Sequence, residues 1–220
     1  MTDIYQDGIG SVDYIDHMGD DKRPVDAARV SFYKDDVTRQ INDRDEKLIK
    51  FLSDHNHTSP FEHIQVTFRL TVPLFVRSQI MRHRTFSFNE VSRRYTSENI
   101  QVWKPQGLRK QSKTNLQCSD GDLEDRTAMN MFHISLDASV KFYNQLIQGG
   151  VTREQARAVL PQATYTTFYM SGNLHNWVKF LRLRNHEHAQ PETRRAAEAI
   201  EEKLFELFPV SMEAMRGKHD

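Results

Sequence analysis

Among 220 residues there is a single cysteine, Cys118. One thiol excludes an internal disulfide framework and predicts a cytoplasmic setting. Net charge is also missing: 30 Lys and Arg stand against 30 Asp and Glu. That balance removes any global attraction to nucleic acid or an acidic membrane, so a basic site has to be local. Long apolar runs are absent, so no stretch is a candidate membrane span. The opening MTDIYQDGIG has neither the basic start nor the apolar run of a signal peptide. No internal repeat and no Pro/Ser/Gly linker divides the chain. With 38% hydrophobic and 27% charged residues, one sizeable core can form at this length. The expectation is a single domain over 1–220.

What is present sorts into helices and a few strands. The 43–55 segment reads as a helix with Leu48, Phe51, Leu52 and His55 on one face. Over 64–72, Ile64, Val66, Phe68, Leu70 and Val72 alternate with Gln65, Thr67, Arg69 and Thr71, the pattern of a strand with one buried face. Pro73 then suits the first turn of a short helix through Val76 and Ile80. Met129, Phe132, Leu136, Val140, Tyr143 and Ile147 predict a helix over 125–148, stopped by Gly149-Gly150. Thr152 and Gln155 read as a capping box. The β-branched and aromatic run 164–170 reads as a strand. Two more helices are predicted over 173–184 and 191–208, the second closed by Pro209. Few strands, many helices and no βαβ rhythm predict an α+β fold, with a small, mostly antiparallel sheet packed by several long helices. The 104–125 stretch is polar, holds Gly and Pro, and lacks apolar periodicity; it reads as a loop or insertion. Cys118 lies there beside Asp120 and Asp122, a poor setting for a reactive thiolate.

The most informative segment is 77–95, RSQIMRHRTFSFNEVSRRY. It concentrates Arg77, Arg82, His83, Arg84, Arg93 and Arg94 against one acid, Glu90, with Ser87, Asn89 and Ser92 interleaved. Guanidinium forks match pairs of phosphate oxygens, so this mixture suits a nucleotide. Two alternatives remain open on composition: surface ion pairs, or a nucleic-acid module in which Phe86, Phe88 and Tyr95 stack bases. The neutral balance of the chain weighs against the second. His55, His57 and His63, like His186-Glu187-His188, lack a recognisable zinc spacing such as HExxH, and no metal is expected. Ser59-Pro60-Phe61-Glu62 reads as a helix start, with Ser59 as the cap and Glu62 as its capping-box partner.

Arg82-His83-Arg84, seven residues, then Ser92 closely resembles the signature of the flavin-dependent thymidylate synthases. The longer form also fits: R-H-R, two residues, Ser87, one residue, Asn89, two residues, Ser92, one residue, Arg94. Ala27-Ala28-Arg29-Val30-Ser31, 57–63, 153–161, 173–184 and His188-Ala189-Gln190 resemble further blocks of that family in the same order. The resemblance implies reductive methylation of dUMP to dTMP. The carbon donor would be 5,10-methylenetetrahydrofolate, the hydride carrier FAD and the reductant NADPH, with tetrahydrofolate released. It also implies a homotetramer with sites shared between subunits, and no nucleic-acid or membrane partner.

Residue roles follow from the same resemblance. His57 and Ser59 fall at the flavin site, and Arg82, His83 and Arg84 at FAD contacts. Arg82 also approaches the nucleotide, and Glu90 touches both ligands. Gln79, Ser92, Arg93, Arg94 and Arg157 fall at dUMP-binding positions, with Arg94 the phosphate clamp. Arg184 matches the arginine that polarises uracil near N3, where a cation would stabilise developing negative charge. Arg184 and Ser92 are thus the implied catalytic pair, the serine binding and polarising rather than attacking. Asn173, His175 and Lys179 fall at FAD contacts. There the family often has Asn-x-Arg and a later Asn, while this chain has His175 and Lys179.

Overall fold

Where apolar and polar residues alternate most cleanly, the chain is indeed extended. The computed structural model describes residues 1–32 and 40–216. In chain order the elements are β1 (Thr2–Asp3), β2 (Ser11–Met18), α1 (Lys22–Arg29), α2 (Asp43–Asp54), β3 (Gln65–Pro73), α3 (Leu74–Ile80), β4 (Ser87–Glu90), β5 (Leu108–Gln111) and β6 (Ser119–Leu123). Then come α4 (Arg126–Gln148), α5 (Arg153–Ala156), β7 (Tyr165–Asn173), α6 (Leu174–Arg184), α7 (Pro191–Leu207) and α8 (Pro209–Arg216). Five strands form one mostly antiparallel sheet in the order β1-β2-β3-β7-β4, and β5 pairs with β6 separately. The hydroxyl pairs Thr67–Ser171 and Thr71–Thr167 run in opposite directions along β3 and β7, which marks that pairing as antiparallel. This is the expected α+β fold. Packing divides the chain into two units. The first is Met1–Leu70, His83–Asn89 and Tyr169–Asp220; the second is Thr71–Arg82 and Glu90–Phe168.

In the first unit, β3 buries Val66, Phe68 and Leu70 and leaves Thr67 and Arg69 half-buried on the other face. Arg69 lies on that polar face and donates from Nε and NH2 to Asp13 of β2. Trp177 of α6 is fully buried, and its indole N–H is shared between the carbonyls of Val66 and Gly172, at 3.2 and 3.1 Å. Phe68, Phe86 and Phe180 pack edge-on around it, with centroids 5.1, 4.6 and 5.8 Å away. Edge-to-face rings of this kind contribute beyond their buried area. Helix α2 ends with Asn56 at φ 56°. The His57 N–H reaches Leu52 O and the Asn56 N–H reaches Ser53 O, a Schellman closure that asparagine can adopt. Asp21 accepts from the N–H groups of Val210 and Ser211 and thereby caps α8.

In the second unit, α4 starts at its cap Asp125, which accepts from Ala128 N, and ends in the expected glycine stop. Gly150 takes φ 85° there, while Val151 N and Gly150 N bond to Leu146 O and Ile147 O.

Five local expectations change. Thr152 precedes α5 but makes no side-chain cap bond, so the capping box with Gln155 does not form. The 104–125 stretch holds the β5–β6 hairpin, with Leu108 opposite Leu123 and Arg109 opposite Asp122. Its strands are polar and largely exposed, so they carry no apolar alternation to read. Ser59 does not cap an α-helix: Ser59–His63 is a five-residue 3-10 turn preceded by Thr58, without a side-chain cap bond. Helix α2 buries Asp45, Ile49 and Leu52 and leaves Phe51 48% exposed. On that inward face Asp45 pairs with Arg29, at 2.5 Å. Pro209 ends α7 but also begins α8, a position where its missing N–H costs nothing.

Gly172 is a glycine for a packing reason. A Cβ there would lie 2.4 Å from Cδ1 of the Phe86 ring, which is itself buried. Gly172→Ala is expected to lose about 1–3 kcal/mol, the usual cost of overpacking a tight core. Thermal denaturation would show this as a Tm lowered by several degrees. An unchanged Tm would mean that Phe86 has room to move.

Candidate active site

The positions implied by the family resemblance divide between the two units. His57, Ser59, His83, Arg84, Asn173, His175, Lys179 and Arg184 belong to the first. Gln79, Arg82, Glu90, Ser92, Arg93, Arg94 and Arg157 belong to the second. Most residues implied to hold the flavin thus share one unit, and most of those implied to hold the nucleotide share the other. Arg82 and Glu90, implied for both ligands, fall with the nucleotide group, and Arg184 falls with the flavin group.

In the first unit the positions are built on α6 and on two turns. Asn173 caps α6, its Oδ1 accepting from Asn176 N at 2.9 Å. His175 lies half-buried in the first turn, and Lys179 lies exposed one turn further on. Burial, then the nearby Lys179 and Arg182 charges, hold the His175 pKa below its ordinary value, against an opposing pull from Glu62. At the far end of α6, Arg184 donates from Nε to Nε2 of His83 at 3.0 Å. The His83 ring also packs edge-on against Phe180, at 5.0 Å. Burial, followed by the Arg184 and Lys179 charges, pushes the His83 pKa down to about 4. His57 is exposed, delivered by the Schellman turn that ends α2, with Ser59 exposed two residues later. Phe51 stacks on His55 at 4.0 Å and packs edge-on against His57 at 6.1 Å.

The second-unit group follows α3 and the end of β4. Glu90 is gripped on both oxygens. Arg77 donates to Oε2 from Nε and NH2, at 3.0 and 2.5 Å, and Thr166 of β7 donates to Oε1 at 2.7 Å. Neither Arg77 nor Thr166 is among the implied ligand contacts. The signal that could have found Arg77 is charge: Glu90 is the only acid within the 77–95 run. Nothing in the sequence marks Thr166, which sits buried on a neighbouring strand. Beyond Glu90 the chain turns at Ser92, whose Oγ accepts from Arg94 N at 3.3 Å. Arg93 folds back on this loop, donating to the carbonyls of Glu98 and Asn99 at 2.7 and 3.3 Å. Its Nε is buried without a partner, and burial lowers its pKa. Arg94 points outward and pairs with Glu154 at 3.4 Å, both ends more than half exposed. Sequence spacing would pair Glu154 with Arg157 at i,i+3, but α5 ends at Ala156 and Arg157 starts a 3-10 turn.

These residues fit a flavin dinucleotide in chemical kind. Lys179 and Arg84 are cations that could meet a diphosphate, and half-buried imidazoles could donate to a ring or ribose. The substitution of His175 and Lys179 for guanidinium and amide groups keeps donors at both positions. Among the described residues no cluster of three or more His, Cys, Asp or Glu side chains could hold a metal. Among them, too, no helix is long and apolar enough to cross a membrane.

Comparison with known proteins agrees with the signature. Residues 13–210 match the profile of the thymidylate synthase complementing protein family, Thy1. A flavin-dependent thymidylate synthase of Thermus thermophilus is 42% identical over 205 residues, covering 93% of this chain and 75% of that protein. That of Thermosipho africanus is 39% identical over 209 residues, covering 93% and 90%. A solved structure of the UMP/dUMP methylase PolB from Streptomyces cacaoi, bound with 5-Br dUMP, superposes with a TM-score of 0.86 at 32% identity, over 94% of this chain and 95% of that one. Signature, fold and relatives agree, and the chain belongs to the thymidylate synthase complementing protein family, that of the flavin-dependent thymidylate synthases.

Proposed function

We propose that this chain methylates dUMP to dTMP, with 5,10-methylenetetrahydrofolate as carbon donor, FAD as hydride carrier and NADPH as reductant, releasing tetrahydrofolate. The observation that carries the reading is the likeness, across nearly the whole chain, to a methylase solved with 5-Br dUMP. Bound FAD supplies the hydride; the protein supplies binding, alignment and charge. Arg94 and Arg157 are exposed cations suited to the nucleotide phosphate, and Arg94 would exchange the Glu154 carboxylate for it. Glu90, with both oxygens already oriented, offers its remaining lone pairs to N–H or O–H donors of a ligand. Arg184 stabilises negative charge as it develops on the uracil ring, and Ser92 binds and polarises the nucleotide. No residue of the group is a thiol, so the ring is activated by charge and not by cysteine addition.

We take the 1–220 chain as one catalytic domain working in a homotetramer with sites shared between subunits. Support for self-association comes from α4. Met131, Ile134 and Phe142, 67%, 67% and 57% exposed, lie along one side of it, opposite buried Leu136 and Tyr143. A second reading, methylation of UMP, is favoured by the Streptomyces methylase, solved also with 5-Br UMP at a TM-score of 0.81.

The deciding experiment follows the visible spectrum of the protein with FAD under anaerobic conditions. Flavin is expected to bleach with NADPH and to reoxidise only when dUMP and methylenetetrahydrofolate are both present, with dTMP formed. Substituting UMP tests the second reading directly. A protein that binds no flavin would remove the proposal. Arg94→Ala is expected to weaken dUMP binding about 10- to 100-fold, the size of one charge-assisted contact. FAD affinity should stay within a few-fold; equal loss of both ligands in a folded variant would refute the partition of the site. Cys118→Ala should turn over like the parent. A dead but folded variant would reinstate a thiol in the mechanism.

A further inference from the structure

We infer that His83 is a positioning residue for Arg184: a neutral imidazole, protonated on Nδ1 alone, whose Nε2 lone pair fixes the guanidinium before any ligand arrives. Donor chemistry fixes the direction of the bond. The Nε of an arginine carries a hydrogen and has no lone pair to offer, so it can only donate. A partner 3.0 Å away therefore has to accept, and the partner here is Nε2 of His83. An imidazolium, or the tautomer protonated on Nε2, would set N–H against N–H. One ring form remains, with the lone pair on Nε2 and the proton on Nδ1.

The surroundings hold that form in place. Phe180 lies one turn before Arg184 on α6 and is fully buried. Its ring meets the His83 ring edge-on at 5.0 Å and packs on Trp177 at 5.8 Å. His83 is thus wedged between an aromatic core and the arginine it serves. Burial and the Arg184 and Lys179 charges both oppose a second proton on the ring. A cation needed for charge stabilisation is worth most when it is already oriented, because no reorganisation is then required during reaction. Two consequences follow. Arg184 is not left to choose its rotamer on binding. And the ring's single N–H lies on Nδ1, so a ligand group facing that edge has to be an acceptor, such as a phosphate or carbonyl oxygen.

The inference rests on the synthase reading for its catalytic meaning, but its first test does not. Nitrogen-15 NMR of histidine-labelled protein, without nucleotide, should show one ring at neutral pH with a protonated Nδ1 and an unprotonated Nε2. The assignment comes from loss of that signal in His83→Gln. In an Arg184→Met variant the same ring should lose its tautomer preference and titrate closer to the ordinary histidine range. A wild-type His83 that is cationic at neutral pH, or protonated on Nε2, would overturn the inference, whatever the enzyme turns over.

The second test is kinetic. His83→Gln places a side-chain oxygen near the position of Nε2 and should keep a higher kcat than His83→Leu, although both lose the ring at an implied FAD contact. His83→Leu removes the acceptor and should lower kcat about 10- to 100-fold, with a smaller change in the KM for dUMP. Equal rates for Gln and Leu would sink the positioning role. If His83→Leu fails to fold, the NMR result on the parent protein still decides. An inactive parent with the expected ring signals would remove the synthase reading and leave the geometry standing.

Discussion

Much of the first unit hangs on where the Trp177 indole can sit. Its N–H bridges two backbone carbonyls, Val66 O on β3 and Gly172 O on β7, so it ties α6 to two strands at once. A buried indole N–H without a partner would cost about 1–3 kcal/mol, so the ring has few alternatives. Its faces and edges are filled by Phe68, Phe86 and Phe180. Phe86 belongs to the segment just after the R-H-R triplet, and Phe180 belongs to the helix that carries Lys179 and Arg184. The same aromatic cluster therefore sets the course of both stretches. Gly172 completes the constraint, because any side chain there would occupy the space of the Phe86 ring.

A neutral protein that gathers cations in one stretch has to manage their mutual repulsion without a ligand, and it does so differently at each one. Arg77 spends its charge on Glu90. Arg93 is screened by two backbone carbonyls and partly buried, so it braces a loop. Arg94 has an exposed carboxylate 3.4 Å away, a pairing worth little in water. Outside that stretch, Arg184 donates from Nε to Nε2 of His83, which orients the guanidinium. The order matters for function. An arginine doubly bonded to a half-buried acid is expensive to redirect, whereas one held by an exposed carboxylate can turn its field on a bound anion.

How much of this was legible in the sequence depended on the kind of signal. Strand β3 and helix α4 are periodic over many residues, and both stood out, as did the Gly149-Gly150 stop. The arginine-rich run stood out too, because like charges concentrated in a balanced chain need a reason. The β5–β6 hairpin did not, since a pairing made by backbone bonds between exposed polar strands leaves no apolar alternation. The buried face of α2 is hidden in the sequence for a similar reason. Its inward face includes Asp45, paired with Arg29, and a charge at a core position looks like a surface residue until its partner is known. The grip of Thr166 on Glu90 spans 76 positions, and the bond between Arg184 and His83 spans 101. No local pattern encodes such contacts.

The residue types also constrain what kind of catalyst the chain can be. A protein that activated a pyrimidine by covalent addition would need a nucleophile beside a base. Here the single thiol lies on the β5–β6 hairpin, flanked by acids, and Ser92 accepts a backbone N–H next to arginines, with no dedicated base in its loop. What the site residues have in quantity is oriented charge and donors. Such groups lower a barrier when they are aimed in advance at charge that appears only as the reaction proceeds. An imidazole kept neutral by burial, holding an arginine at a fixed angle, serves that end better than an acid would. A carboxylate in place of the imidazole would hold the arginine as firmly and would add a negative charge that offsets its field.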